Sequence, residues 1–281
     1  MSTKVPELIY EENLSYAWGR AFLMAMKGGS KDLMPLTISI GGLVDGLPTE
    51  DDRIRQALDL ALAQNEKYSC AVSAMLIFPF KFWNLTGRPH IQEFTNLYLK
   101  KYLPRLKERD RRNRYGTYFE RMIAFQGFKN KSGKLLNEGK NQLEHIISLW
   151  PKSGDQKRPK RSSLQAACFD PVKDHSGSPR SVFPCLQQVG FTYDDDGDLA
   201  INAFYPTQYI FDRAYGNYLG LCHLGYFMAH ELGLEFVRLN CFIGRPELGN
   251  VTKAALHELT EVVREALPPD DLSNLCKNER G

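Results

Sequence analysis

The sequence predicts an α+β domain, and three observations carry that expectation. Residues 14–27, LSYAWGRAFLMAMK, place Leu14, Trp18, Ala21, Phe22, Ala25 and Met26 on one helical stripe, with Gly28-Gly29 as a stop. Two strand-like runs flank the turn Asp194-Asp195-Asp196-Gly197, and a long apolar helix begins at Gly216-Asn217. At 281 residues, 43% apolar and 25% charged, the chain can bury a full core as one large domain.

Taken in order, Leu36 to Gly42 reads as a short strand ending in glycines. A helix follows with Thr49 as its cap and Asp52 completing a variant capping box; Ile54, Ala57, Leu58, Ala61 and Leu62 keep helical spacing. Cys70 to Phe82 is apolar and β-favouring, so it is expected to be a strand with an irregular end at Pro79. Ile91 to Leu103 predicts a helix after the Gly87-Arg88-Pro89 break, with Glu93 in its first turn, where a carboxylate suits the helix dipole. Lys129 to Lys140 is expected to be a surface loop, Asn141 to Trp150 a helix, and Thr252 to Leu267 a final helix.

Several classes are excluded or disfavoured. The longest apolar run, Ala71 to Phe80, is far short of the ~20 residues of a membrane helix. The acidic N-terminus, MSTKVPELIYEEN, has no apolar signal core, so an intracellular, cytoplasmic protein is expected. Six cysteines (70, 168, 185, 222, 241, 276) form no CxxC pair, which argues for reduced thiols rather than a zinc site or disulfides. His223 and His230 share a helix face without a third ligand at metal-like spacing, so no metal is expected. The net charge of +3 is uneven: KKYLPRLKERDRRNR and KSGDQKRPKR are basic clusters that suit phosphates or nucleic acid, or form a solvated face.

Cys185 stands apart from the other thiols. It follows Pro184 and precedes Gln187-Gln188, in a turn before a strand, whereas most of the others lie inside apolar runs. The order Pro184-Cys185, a strand ending at Asp-Gly, an aromatic-rich strand and a Gly216-Asn217 helix start resembles the nucleophile half of the thymidylate synthase superfamily. Tyr115-Gly116, the helix NQLEHII and Lys160-Arg161 precede it in the family's order, so the resemblance covers roughly residues 110 to 268.

The resemblance implies a large twisted mixed sheet flanked by helices, a homodimer formed through the sheets, and transfer of a methyl or hydroxymethyl group to C5 of a pyrimidine nucleotide or nucleoside. Methylenetetrahydrofolate would be the donor. Cys185 would add to C6, Tyr115 would move the C5 proton, Asn217 would hold the ring's polar edge, and Glu93 aligns with a catalytic glutamate. Lys160 and Arg161 would bind phosphate across the dimer. A thiolate suits the first step because it is a soft nucleophile, and an amide both donates to O4 and accepts from N3–H, which favours a uracil-type ring.

Departures accompany the likeness. Pro206 stands where the family has an arginine that binds phosphate and keeps the cysteine ionised, and the missing cation is expected at Arg213 or Arg245. The pterin-binding aspartate aligns with Tyr209, the ribose-binding His and Tyr align near Pro246 and Leu248, and only DDLSNLCKNERG follows Pro268-Pro269. These losses leave two alternatives open: a repurposed non-catalytic binding protein, and a nucleic-acid-binding protein using the basic clusters.

Overall fold

The structure is a computed structural model that describes residues 5–28, 33–110, 112–113, 116–129, 135–137, 139–151, 157–175 and 184–269. Tyr115 and Cys276 lie outside the described residues.

Six strands form one mixed sheet: β1 (Val5–Glu11), β2 (Leu33–Ile40), β7 (Gln165–Ala167), β8 (Gln188–Tyr193), β9 (Asp198–Tyr209) and β10 (Glu235–Glu247), in the order β1-β2-β10-β9-β8-β7. Helix α1 (Leu14–Gly28) connects the parallel pair β1 and β2, and α10 (Tyr215–Leu232) connects the parallel pair β9 and β10. The two units join antiparallel, Cys241 opposite Ile38, while β8 and β7 extend the far edge antiparallel. The expected hairpin is β8–β9, and its turn is closed by the Asp194 carboxylate accepting from the N–H groups of Asp196, Gly197 and Asp198. The architecture is therefore α+β with a large mixed sheet, as expected.

Alternation sorts each strand onto two faces. Leu199, Ile201, Ala203 and Tyr205 of β9 point into the core with Leu239, Cys241 and Ile243 of β10. Leu8, Tyr10, Phe204 and Phe242 are exposed. Across that second face a row of side-chain hydrogen bonds runs from Ser39 to Asn240 (2.8 Å), Asn240 to Asn202 (3.0 Å) and Asn202 to Thr192 (3.1 Å).

Helix α10 is buried almost all round, which requires a layer on both sides. The sheet covers one side. On the other lies α3 (Cys70–Ile77), where a strand was expected. The correction has a local cause: the Ser69 hydroxyl caps the first turn by accepting from the Val72 N–H at 3.3 Å, and the Asp59 carboxylate accepts from the Cys70 N–H at 2.7 Å. With apolar residues on every side, α3 has no periodicity to distinguish it from a buried strand. Close approach to α10 depends on glycine. A Cβ on Gly216 would meet the Ser73 Cβ at 2.4 Å, and one on Gly220 would meet the Ala74 carbonyl at 2.6 Å.

Other boundaries move. Asp51, not Thr49, caps α2 (Asp52–Gln64), because its carboxylate reaches the Arg53 and Ile54 N–H groups while the Thr49 hydroxyl donates to the Glu12 carbonyl. The helix from Ile91 continues through a π turn at Tyr98–Tyr102 to Arg109, giving α5 (Ile91–Leu97) and α6 (Leu103–Arg109). The wider turn precedes Pro104, which sits in the opening turn of α6 where its missing N–H costs little. Part of the expected Lys129–Lys140 loop is a small hairpin, β5 (Phe128–Lys129) with β6 (Leu135–Asn137). A second short hairpin, β3 (Leu43–Val44) with β4 (Leu47–Pro48), and helices α4 (Phe80–Leu85), α7 (Tyr118–Ile123), α8 (Gln142–Ser148), α9 (Pro171–Asp174) and α11 (His257–Ala266) complete these elements. None of the described helices is long and apolar enough to cross a membrane.

Candidate active site

Cys185 sits in a short turn between buried Pro184 and Leu186. Gln187 fixes that turn. Its side-chain amide donates to the Pro184 carbonyl at 2.6 Å, its N–H donates to the Phe204 carbonyl at 2.9 Å, and its own carbonyl accepts from the Cys168 N–H at 2.8 Å. The thiol is thereby held at the mouth of β8, facing a cavity of about 390 Å³.

The cavity draws on distant parts of the chain. Ser73 and Leu76 of α3, Tyr118 and Arg121 of α7, Gln208 and Tyr209 at the end of β9, Asn217 in the first turn of α10, and Asn250 all line it. Between β9 and α10 the chain makes a π turn, Ile210–Ala214, which carries Asp212 and Arg213 into the same space. Three anchors hold that turn: the Trp18 indole donates to the Ile210 carbonyl at 2.8 Å, the Phe211 N–H donates to the Leu248 carbonyl at 3.0 Å, and Lys67 pairs with Asp212 at 3.0 Å.

Opposing effects set the thiol. Crowding by the pocket walls pushes the Cys185 thiol up, the Arg213 guanidinium pulls it down, and a hydrogen bond from Tyr118 pulls it down further; the balance lies above the ordinary thiol value. Tyr118 is itself raised, first by burial and then by Cys185, while the Leu186 N–H bonds to its hydroxyl. Of the two cations expected to serve the thiol, Arg213 is in the pocket. Arg245 is not among its lining residues and pairs with Glu247 at 3.1 Å.

The remaining pocket cations are already paired. Arg121 makes a two-pronged bond to Asp174 at 2.6 and 2.9 Å and also donates to the Cys168 carbonyl at 2.9 Å. Arg112 pairs with Asp110 at 2.8 Å. Arg213 has no ion pair among the described residues, and its guanidinium lies over the Tyr68 ring at 4.7 Å.

Three residues of the pocket wall carry a fully buried polar atom without a partner among the described residues: Ser73 Oγ, Gln208 Nε2 and Asp212 Oδ1. The Tyr218 hydroxyl donates to Gln208 Oε1 at 2.8 Å, which fixes the orientation of that amide. Asn217 is 4% exposed and its side chain also finds no protein partner there. Unpaired buried groups cost free energy until a ligand or water meets them, about 1–3 kcal/mol each.

No family model matches the chain, and no curated protein matches its sequence.

The structure brings together three of the residues singled out in the sequence, Cys185, Asn217 and Arg213. Tyr115 lies outside the described residues, although its neighbours Gly116 and Thr117 line the cavity. Glu93 is exposed on α5 and does not line it; the upstream helix that does is α3. Lys160 and Arg161 are also elsewhere. Arg161 donates to the Tyr193 carbonyl at 2.6 Å, and its guanidinium stacks on the Tyr193 ring at 4.6 Å. Pro246 and Leu248 are absent from the lining, whereas Tyr209 is present.

Sequence reasoning missed Tyr68, Tyr118, Gln208, Asp212 and Asn250. Tyr118 had a signal in its closeness to Tyr115-Gly116, and Asp212 in its place beside Arg213; Tyr68 and Asn250 are single loop residues with none. Among the described residues, no group of three or more His, Cys, Asp or Glu could hold a metal.

Proposed function

We propose that the protein transfers a one-carbon unit, as methyl or hydroxymethyl, to C5 of a uracil-type nucleotide or nucleoside through a covalent bond between Cys185 and C6. The observation that carries this reading is the convergence of Cys185, Arg213 and Asn217 on one cavity from separate segments. The thiolate adds to C6, and the electron pair moves through C5 toward O4. Asn217 donates to that oxygen and accepts from N3–H, so the negative charge develops against a positioned amide. C5 then attacks the one-carbon unit and loses its proton, whose transfer the resemblance assigns to Tyr115, and the thiolate leaves. Arg213 stabilises the thiolate at both ends of this cycle, and Tyr118 donates to the sulfur.

The pocket suits the folate donor in one respect: Gln208, Asp212 and Asn250 give its lining amides and a carboxylate that suit the N–H and carbonyl edge of a pterin. Methylenetetrahydrofolate, when bound, would supply the one-carbon unit at the methylene oxidation level: its C–N bond would break as the unit passes to C5, and water would complete hydroxymethyl, or hydride from the tetrahydropterin, left as dihydrofolate, would complete methyl. Lys160 and Arg161 fit a substrate phosphate only from a second copy of the chain, since they lie outside their own pocket. A homodimer through the sheet face opposite the core accounts for the exposed Leu8, Tyr10, Phe204 and Phe242.

The test is intact-mass spectrometry with 5-fluorodeoxyuridine monophosphate, with and without methylenetetrahydrofolate. Wild type is expected to gain the mass of both molecules in a folate-dependent way, and Cys185→Ala to gain neither. No adduct in wild type would overturn deoxyuridylate as the substrate.

A further inference from the structure

Arg213 has an unusual seat. Its guanidinium lies 4.7 Å from the centre of the Tyr68 ring, and that of Arg112 lies 3.8 Å from the same centre. Two cations sharing one ring repel each other unless one is neutralised. Asp110 does this: it pairs with Arg112 at 2.8 Å and also accepts the Tyr68 hydroxyl bond, fixing the ring's orientation. Arg112 holds the Asp110 carboxyl below its ordinary range, and burial pushes the Tyr68 phenol up to about 12, so Asp110 stays charged and Tyr68 neutral at physiological pH. The uncompensated charge of the cluster therefore belongs to Arg213.

We propose that Tyr68, oriented by Asp110 and shared with Arg112, is a positioning residue that seats Arg213 against the Cys185 thiol. Tyr68 lies in the loop between α2 and α3, and its role is to hold a flexible guanidinium that no carboxylate among the described residues holds. An ion pair would have cancelled the positive charge; an aromatic face fixes the group and leaves its charge available to a thiolate. The other charged groups around the thiol are paired, Arg121 with Asp174 and Asp212 with Lys67, and Tyr118 acts by hydrogen bonding.

The inference concerns the thiol whichever substrate the pocket takes. Its test contains no substrate, so its failure and that of the proposed reaction are separate results. Alkylation of Cys185 by iodoacetamide is followed against pH by peptide mass spectrometry in the full chain. Arg213→Gln is expected to raise the midpoint by about one pH unit and to slow alkylation about 10-fold at neutral pH. Tyr68→Leu should produce the same shift, the double variant no more than either alone, and Tyr68→Phe, which keeps the ring but loses its bond to Asp110, a smaller shift in the same direction. If Tyr68→Leu does not fold, Tyr68→Met takes its place. An unmoved midpoint in Tyr68→Leu or in Arg213→Gln, additive shifts in the double variant, or a Tyr68→Phe shift as large as that of Tyr68→Leu would each overturn the proposal.

Discussion

The pocket exists because α10 lies close against α3, and that closeness can be tested by adding one methyl group. In Gly220→Ala the new Cβ meets the Ala74 carbonyl at 2.6 Å, the Ile77 Cβ at 2.9 Å and the Ala74 Cα at 3.0 Å. Two of these atoms are backbone and the third is a Cβ fixed to it, so none can rotate away. Overpacking of this kind costs about 3 kcal/mol, the upper part of its usual range. Alanine recovers about 1 kcal/mol of helix propensity over glycine, leaving a net loss of about 2 kcal/mol. Gly19→Ala, on α1, makes the same chemical change in another setting. Its Cβ meets only the methyl ends of Val263 at 3.1 Å and Leu267 at 3.3 Å, which can yield. That variant should be neutral or gain up to about 1 kcal/mol. Thermal unfolding followed by circular dichroism reads the difference: Tm should fall by about 4–8 °C in Gly220→Ala and stay level or rise in Gly19→Ala. Gly220→Ala melting at or above wild type would refute the α3–α10 contact as described.

Further expectations follow from the same geometry. Removing the carboxylate in Asp174→Ala strands Arg121, whose side chain is 11% exposed, and should cost about 3–5 kcal/mol in urea unfolding. Because the folded Asp174 carboxyl sits below its unfolded value, the pair's contribution is present above about pH 4 and lost as pH falls through the depressed value, so the difference between wild type and Asp174→Ala should shrink in acid. Asn217→Asp replaces a donor and acceptor with an acceptor alone. A uracil-type nucleoside should then protect Cys185 from alkylation about 10–100-fold less well, while a cytosine-type nucleoside gains, and unchanged protection would remove Asn217 from ring recognition. Phe242→Glu places a charge on the exposed sheet face beside Phe204, their rings 5.9 Å apart, and should shift a dimer toward monomer in sedimentation; an unaltered dimer would place the interface elsewhere.

Much of this architecture was legible because periodicity and turn chemistry agree over long segments. The stripe from Leu14, the Asp-Gly turn between β8 and β9, and the apolar helix opening at Gly216-Asn217 each carry their signal within a few residues. The strand assigned to Cys70–Phe82 failed because α3, squeezed between α10 and its neighbours, has no polar face to reveal a helical period, and the Ser69 and Asp59 bonds that open the helix are not visible in an apolar pattern. Cys185 was legible from its proline and polar flanks, and Asn217 from its place at a helix start. Tyr68 was not, because its importance lies in two guanidiniums and a carboxylate that reach it from other segments. Asp212 was not legible either, because it reaches the pocket only on the π turn that leads out of β9 and into α10.

The central claim is that the Cys185 thiolate adds to C6 of a pyrimidine, and that step leaves a trace without any one-carbon donor. Addition makes C5 basic, so C5–H exchanges with solvent before the thiolate leaves again. Proton NMR of deoxyuridine and its monophosphate in deuterated water, with wild type and Cys185→Ala, measures it directly. Loss of the C5–H signal with wild type and its retention with Cys185→Ala is the predicted result. Retention of the signal of both compounds with wild type, or its loss with Cys185→Ala, would contradict the account.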